Sequence, residues 1–230
     1  MLSFNFYYKQ RYLLIQKTDF IIILKFIINR LNHPFIRYFK KKEKIKTLIF
    51  FKKYKLSQNY FSINSYYWKK IIKTNFKKFS YLEIGSFEGS SALFVLKNFI
   101  TTEVCCVDSW NDKVEFKRFI FNLNRFKGKY KFFKKTSDSF FSKNSKKFDL
   151  IYIDGSHEKS QVFKDLVNSW KILNKDGVII CDDYFYGDIY KKINTNIPIQ
   201  AINKFFKLNK KKIKVLCVNN NQIFFKKIED

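Results

Sequence analysis

Two apolar runs in this chain end in acids. Ile151-Tyr-Ile-Asp-Gly-Ser-His157 closes on Asp154, with His157 three residues further on. Ile180-Cys-Asp-Asp-Tyr184 closes on Asp182 and Asp183. If the two runs are neighbouring strands, Asp154, Asp182 and Asp183 gather at one sheet edge. Three carboxylates there repel unless something positive sits among them, and a divalent cation such as magnesium, with oxygen ligands, is the natural candidate. Such an ion would grip two substrate oxygens and lower a hydroxyl pKa. His157, neutral near pH 7, can take a hydroxyl proton as a general base. Asp154 and His157 are therefore the catalytic candidates. Plainer roles stay open: a helix-capping Asp154, a His157 bonded to backbone, and an Asp182/Asp183 pair that binds substrate without metal.

A second segment, Tyr81-Leu-Glu-Ile-Gly-Ser-Phe-Glu-Gly-Ser-Ser-Ala92, places Gly85 and Gly89 between a strand-like and a helix-like run. Glycine there lets the chain turn sharply and lets a ligand approach the backbone. A dinucleotide turn wants G-x-G-x-x-G. This one lacks the middle glycine and carries Glu83 and Glu88, which would repel a pyrophosphate. The two acids suit a ligand with an amino group and a cationic centre, as in S-adenosylmethionine. Val104-Cys-Cys-Val-Asp108 ends about twenty residues past the turn in an acid able to accept both ribose hydroxyls, a feature that dinucleotide sites share. Glu83 could instead pair with a surface lysine, and Asp108 could be a helix cap.

The elements that must position these groups alternate. Strands are expected at 81–84, 104–107, 130–133, 148–153 and 178–181, with helices at 90–99, 113–126 and 159–173 between them. This pattern argues for a parallel sheet covered on both faces. After a helix near 201–208, the runs 213–218 and 222–226, joined by Asn219-Asn-Asn221, read as an antiparallel hairpin at the sheet edge. Residues 1–56 form a separate basic, apolar extension, with a helix expected over 13–31, and 57–230 form the domain. The extension reads either as an arm for a membrane surface or partner, or as a helical extension packed on the domain.

The chain of 230 residues holds 46 Lys and Arg against 19 Asp and Glu, a formal charge of +27. Such a charge suits nucleic acid or an anionic membrane. The same residue set (Lys, Asn, Ile, Phe and Tyr in plenty) also follows from AT-rich codons. The cysteines at 105, 106, 181 and 217 lack C-x-x-C spacing, and three sit in apolar runs, as buried core thiols of a reducing cytoplasm would. No apolar run near the N-terminus approaches the roughly 20 residues of a membrane span. A cytoplasmic protein with peripheral membrane contact through residues 1–56 is the expectation.

LEIGSFEGSSA, VCCVDSW, FDLIYIDGSH and IICDDY, in that order, resemble class I S-adenosylmethionine-dependent methyltransferases, and among them small macrocin-type sugar O-methyltransferases. The resemblance spans about residues 60–230. It implies a Rossmann-like, doubly wound, mostly parallel seven-stranded α/β sheet with the C-terminal hairpin, plus the basic N-terminal helical extension. It implies that Glu83, Gly85 and Gly89 form the cofactor turn, with Phe87 over the cofactor and Ser91 at the methionine carboxylate. Asp108 would hold the ribose, Ser137 would lie at the adenine edge, and Asp154 would stand beside the cofactor. The acceptor would be a small hydroxylated molecule such as a sugar. An RNA methyltransferase, and a non-catalytic membrane- or nucleic-acid-binding protein on this scaffold, are the rivals. No nucleic-acid recognition module is visible, and the lysines are spread out.

Overall fold

The computed structural model describes residues 18–186, 197–219 and 221–230. Seven strands form one sheet: β1 (Phe79–Ile84), β2 (Thr101–Asp108), β3 (Lys131–Lys134), β4 (Phe148–Ile153), β5 (Leu173–Cys181), β6 (Ile213–Val218) and β7 (Ile223–Lys227). Their order is β3-β2-β1-β4-β5-β7-β6. Pairs among β1 to β5 are parallel, whereas β7 runs antiparallel to both β5 and β6. The winding reverses between β1 and β4, the kind of place where open parallel sheets bind ligands.

The strands are apolar on both sides because helices cover both faces. Along β4, Ile151 and Ile153 join one core layer, while Leu150 and Tyr152 join the other. The first layer is closed by α1 (Phe20–Leu31), α6 (Ser137–Phe141), α7 (Lys159–Ile172) and α8 (Pro198–Asn209). The second is closed by α3 (Ser65–Asn75), α4 (Ser90–Asn98) and α5 (Lys113–Leu123), with Phe51 at the end of α2 (His33–Phe51).

Of the helix expected over 13–31, residues 13–17 lie outside the described residues, and the helix begins at Phe20, where the Asp19 carboxylate caps the Ile21 N–H. The extension shares the core of the domain. Ile22 and Phe26 are buried in the first layer, and Asn29 Nδ2 donates to the Val218 carbonyl at 2.9 Å. His33 opens α2, because Pro34 suits a first helical turn. Strand β5 starts earlier than expected, at Leu173, and a Cβ on Gly177 would stand 2.9 Å from the Asp149 carbonyl oxygen. At the hairpin, Asn219 Oδ1 accepts from the N–H groups of Asn221 and Gln222.

The turn after β1 is the tightest point of the sheet. Gly85 has φ +87°, and a Cβ there would stand 2.0 Å from the Asp154 carbonyl oxygen. Gly128 has a similar φ of +83° but open space around it. Gly128→Ala should therefore cost only the left-handed penalty of about 1–2 kcal/mol. Gly85→Ala should cost clearly more, since backbone must also move. Thermal unfolding of the two variants checks this: equal loss would mean that the close approach at Gly85 does not matter.

Candidate active site

Beyond the carboxyl ends of β1, β2, β4 and β5 lies a cavity of about 1020 Å³. Its wall includes Gly85, Phe87, Asp108, Ser137, Asp154 and His157, together with Asp182 and Asp183. The sheet therefore brings most of the expected site residues to one place. Glu83, Gly89 and Ser91 are not part of that wall. They stand behind the turn, and each has a packing reason to do so.

Gly89, at φ +85°, starts α4 so close to α5 that a Cβ would meet Leu123 Cδ1 at 2.5 Å. Glu83 is fully buried, and its Oε2 accepts from the Tyr81 hydroxyl at 2.6 Å. Its Oε1 has no partner, and neither has the nearby buried Ser86 hydroxyl. Burial pushes the Glu83 carboxyl up to about 7, with the hydroxyls of Tyr81, Ser91 and Ser86 offsetting part of that rise. Ser91 is buried beside it. Glu88 also departs from expectation. It pairs with Arg118 Nη1 at 2.7 Å and accepts from the Ser57 N–H at 2.6 Å, so it fastens the turn to α5 and the preceding linker.

Asp108 shapes the turn as well as the wall. Its Oδ2 accepts from the Phe87 N–H and its Oδ1 from the Trp110 N–H, each at 2.8 Å. Trp110 Nε1 then donates to the Phe87 carbonyl at 2.7 Å. Phe87 (φ 47°) and Trp110 (φ 41°) both take the left-handed conformation that non-glycine residues avoid. The three bonds hold that strained loop open toward the cavity. Each Asp108 oxygen keeps a lone pair for a further hydroxyl. Trp110 is thus the clamp of this loop. At the far side, Gln161 Nε2 lies 3.2 Å from the Ser137 hydroxyl and 3.1 Å from Asp165 Oδ1. Asp165 is itself buried, which pushes its carboxyl up.

The acidic edge divides in two. Asp182 is tied inward: its Oδ2 accepts from the Tyr152 hydroxyl and from Gln222 Nε2, and its Oδ1 from the Asp183 N–H. Burial, with Asp183 beside it, pushes Asp182 up to about 6. The Tyr152 hydroxyl oxygen also lies 2.8 Å from Asp154 Oδ2, so its single proton serves one of the two acids at a time, and Trp68 Nε1 donates to Gln222 at 2.9 Å. The other three groups converge. Ligand atoms of Asp154, His157 and Asp183 lie within 4.8 Å of one another. His157 Nε2 stands 2.6 Å from Asp183 Oδ2, and Asp183 holds φ 52° to place it there. That contact raises the His157 pKa, whereas burial and the neighbouring Asp182 and Asp183 charges raise Asp154 well above the usual carboxylate range.

Two carboxylates and an imidazole are a donor set that fits a hard divalent cation. The composition of the trio differs from the sequence expectation: His157 takes the place foreseen for Asp182, because Tyr152 and Gln222 engage Asp182. Neither Tyr152 nor Gln222 was singled out from sequence. The signal available for Tyr152 was a hydroxyl inside a buried strand, which must find a partner. Of the aromatic run 184–186, Tyr184 is buried and donates to Asn203, and Phe185 packs on Phe26. Tyr186 is exposed at the cavity, with its ring 4.1 Å from that of His157.

Residues 82–184 match a family model described as a methyltransferase domain. No curated protein matches the chain. Among solved structures, an O-methyltransferase from Bacillus cereus in complex with SAH is similar at 13% identity and a TM-score of 0.58, over 90% of this chain and 99% of that one. The O-methyltransferase TomG from Streptomyces achromogenes, involved in tomaymycin synthesis and solved with SAM, is similar at 10% identity and a TM-score of 0.54, over 70% and 78%. A protein assigned as an rRNA methylase from Clostridium thermocellum reaches 14% identity and a TM-score of 0.55, over 70% and 95%. At these identities the likeness shows the fold and does not sort acceptors.

The buried Glu83 makes stability pH-dependent. Because its folded pKa lies above the ordinary value near 4.5, the unfolded chain loses this proton first. The unliganded protein should lose stability as pH rises from about 4.5 to about 7, by on the order of 3 kcal/mol from this group. Glu83→Gln should remove that share, so its melting temperature should exceed that of the wild type at pH 8 and match it near pH 4.5. A constant difference across that range would contradict the assignment.

Proposed function

We propose that the chain is a class I S-adenosylmethionine-dependent methyltransferase that transfers the methyl group to a hydroxyl of a small acceptor, a sugar or similarly hydroxylated molecule; its matched domain and fold support this reading. The observation that carries this reading is the His157–Asp183 pair, standing in the same cavity as Gly85, Phe87 and Asp108.

The cavity fits the cofactor. Asp108 offers lone pairs for two ribose hydroxyls, and Ser137 with Asp165 offers polar edges for a base. The turn at Gly85 lets a ligand lie against backbone, with the unsatisfied Glu83 and Ser86 oxygens behind it. When bound, S-adenosylmethionine supplies an electrophilic methyl group on a positively charged sulfur. The chain's main task is then to hold the acceptor oxygen in line with that methyl. His157 Nδ1 takes the acceptor's hydroxyl proton, and Asp183, bonded at Nε2, orients the imidazole and stabilises the imidazolium. Tyr60 and Tyr186, exposed at the cavity, offer flat faces for an acceptor ring.

The lining also bears on the acceptor's charge. Among the described residues, six aspartates line the cavity against one lysine and one histidine, although the chain carries +27 overall. Such a wall repels phosphates, which favours a neutral acceptor over RNA.

A second reading rests on the convergence of Asp154, His157 and Asp183. These residues would hold a divalent cation, which would supply an electrophilic grip on the acceptor hydroxyl.

Assays with labelled cofactor and a panel of sugars and catechols test the proposal. His157→Ala should leave S-adenosylhomocysteine affinity unchanged and slow transfer about 10²–10⁴-fold. As a base with a raised pKa, His157 should make kcat climb with pH through a value above that of an ordinary histidine, and Asp183→Asn should move the climb to lower pH. Activity lost in EDTA and restored by magnesium would move His157 from base to ligand. Full activity of His157→Ala would refute both roles.

A further inference from the structure

The solvent face of α2 is the wrong way round for a surface helix. Phe35, Tyr38, Phe39, Ile45 and Ile49 recur at helical spacing, and all point outward. Phe35 is 83% exposed, Tyr38 65%, Phe39 57% and Ile49 57%. Leu31, at the end of α1, is 69% exposed. The inward face is already provided for: Thr47 and Phe51 are buried, Lys40 Nζ lies 4.6 Å from the Tyr67 ring centre, and α2 packs on α3. The apolar stripe is therefore left over after the helix has been docked.

Charge separates the possible occupants. Lys42 and Lys46 lie within the exposed stripe, with Arg37, Lys41 and Lys44 exposed beside it. The helix has one acid, Glu43, and it is turned inward to Lys69 at 2.8 Å. A second copy would set this basic face against its own lysines. A nucleic acid would engage the lysines and leave five large apolar groups without a role. A bilayer with anionic headgroups takes both, since rings and aliphatic chains enter the headgroup–acyl boundary and lysines meet phosphates. No helix among the described residues is long and apolar enough to cross a membrane, so contact would be peripheral.

We infer that the outward face of α2, continued by Leu31, docks the protein on an anionic lipid surface. The other end of the same region reaches the active site. Lys55 N–H donates to Asn122 Oδ1 at 2.7 Å, Asn122 Nδ2 donates to the Glu88 carbonyl, and Asn59, Tyr60, Ile63 and Asn64 line the cavity. Docking would thus hold the cavity's rim near the membrane-bound segment of the chain.

Vesicle co-sedimentation of the full chain tests this at physiological salt. Phosphatidylcholine vesicles containing phosphatidylglycerol should pellet the protein, and phosphatidylcholine alone should not. Phe35→Ser with Phe39→Ser should lower partitioning at least about tenfold. Lys42→Glu with Lys46→Glu should do so by about twentyfold or more. Lys171→Glu with Lys175→Glu, a matched charge change on exposed residues elsewhere, should leave it within about twofold of the wild type. All three variants are exposed and should melt like the wild type. Three results would overturn the inference. The first is no pelleting by anionic vesicles. The second is an equal effect of the two lysine pairs with none from the phenylalanines, which would mean mere adsorption of a basic protein. The third is a dimer in sedimentation velocity that Phe35→Ser with Phe39→Ser disperses.

Discussion

The end of β1 touches the end of β4 through a residue with no side chain, and the site is arranged around that contact. Gly85 lies against the Asp154 carbonyl where any Cβ would collide. The ladder continues past both strands there, with the Gly85 N–H bonded to the Val107 carbonyl and the Asp154 N–H bonded to the Ile84 carbonyl, each at 2.8 Å. As a result, the turn that follows β1 and the acids that follow β4 and β5 open into one cavity. A ligand held by the turn is placed beside the groups proposed to act on its neighbour.

Two hydrogen-bond systems hold the halves of this arrangement. On the turn side, Asp108 and Trp110 fix Phe87 in a costly backbone conformation, and Glu88 with Arg118 anchors the loop from behind. On the acidic side, Trp68, Gln222, Asp182, Tyr152 and Asp154 form a chain of contacts that spans α3, β7, β5 and β4. Buried polar networks are favourable only when their members are satisfied. This one uses up Asp182 and engages Asp154 through one oxygen, while Asp154, His157 and Asp183 converge on the cavity side. Left-handed backbone at Phe87, Trp110 and Asp183 concentrates strain at the cavity, as functional sites commonly do.

The architecture was readable because alternation of short apolar runs with helical stretches has few other solutions. Strand termini at Ile84, Asp108, Ile153 and Cys181 are also where the polar residues begin, so the edge of the sheet was visible as a change in residue type. The division of labour at that edge was not readable. Spacing puts Asp182 and Asp183 together but does not say which one a buried tyrosine from the next strand will claim. Glu88 looked available to a ligand because Arg118 lies thirty residues away in sequence. Glu83 and Ser91 looked like contacts because motif positions do not reveal which side of a turn a side chain takes. Periodicity alone does not tell the outward stripe of α2 from a core-facing one, and only docking of the other face on α3 distinguishes the two sides.

The account stands on the claim that the cavity at the β1–β4 switch point is built for an adenosyl cofactor with its sugar on Asp108. A crystal structure of the protein with S-adenosylhomocysteine tests this most directly. The account predicts both ribose hydroxyls on the Asp108 carboxylate, the base toward Ser137 and Asp165, and the sulfur facing the His157–Asp183 side. A ligand bound elsewhere, or one whose ribose stays clear of Asp108 while that residue bonds only Phe87 and Trp110, would contradict it.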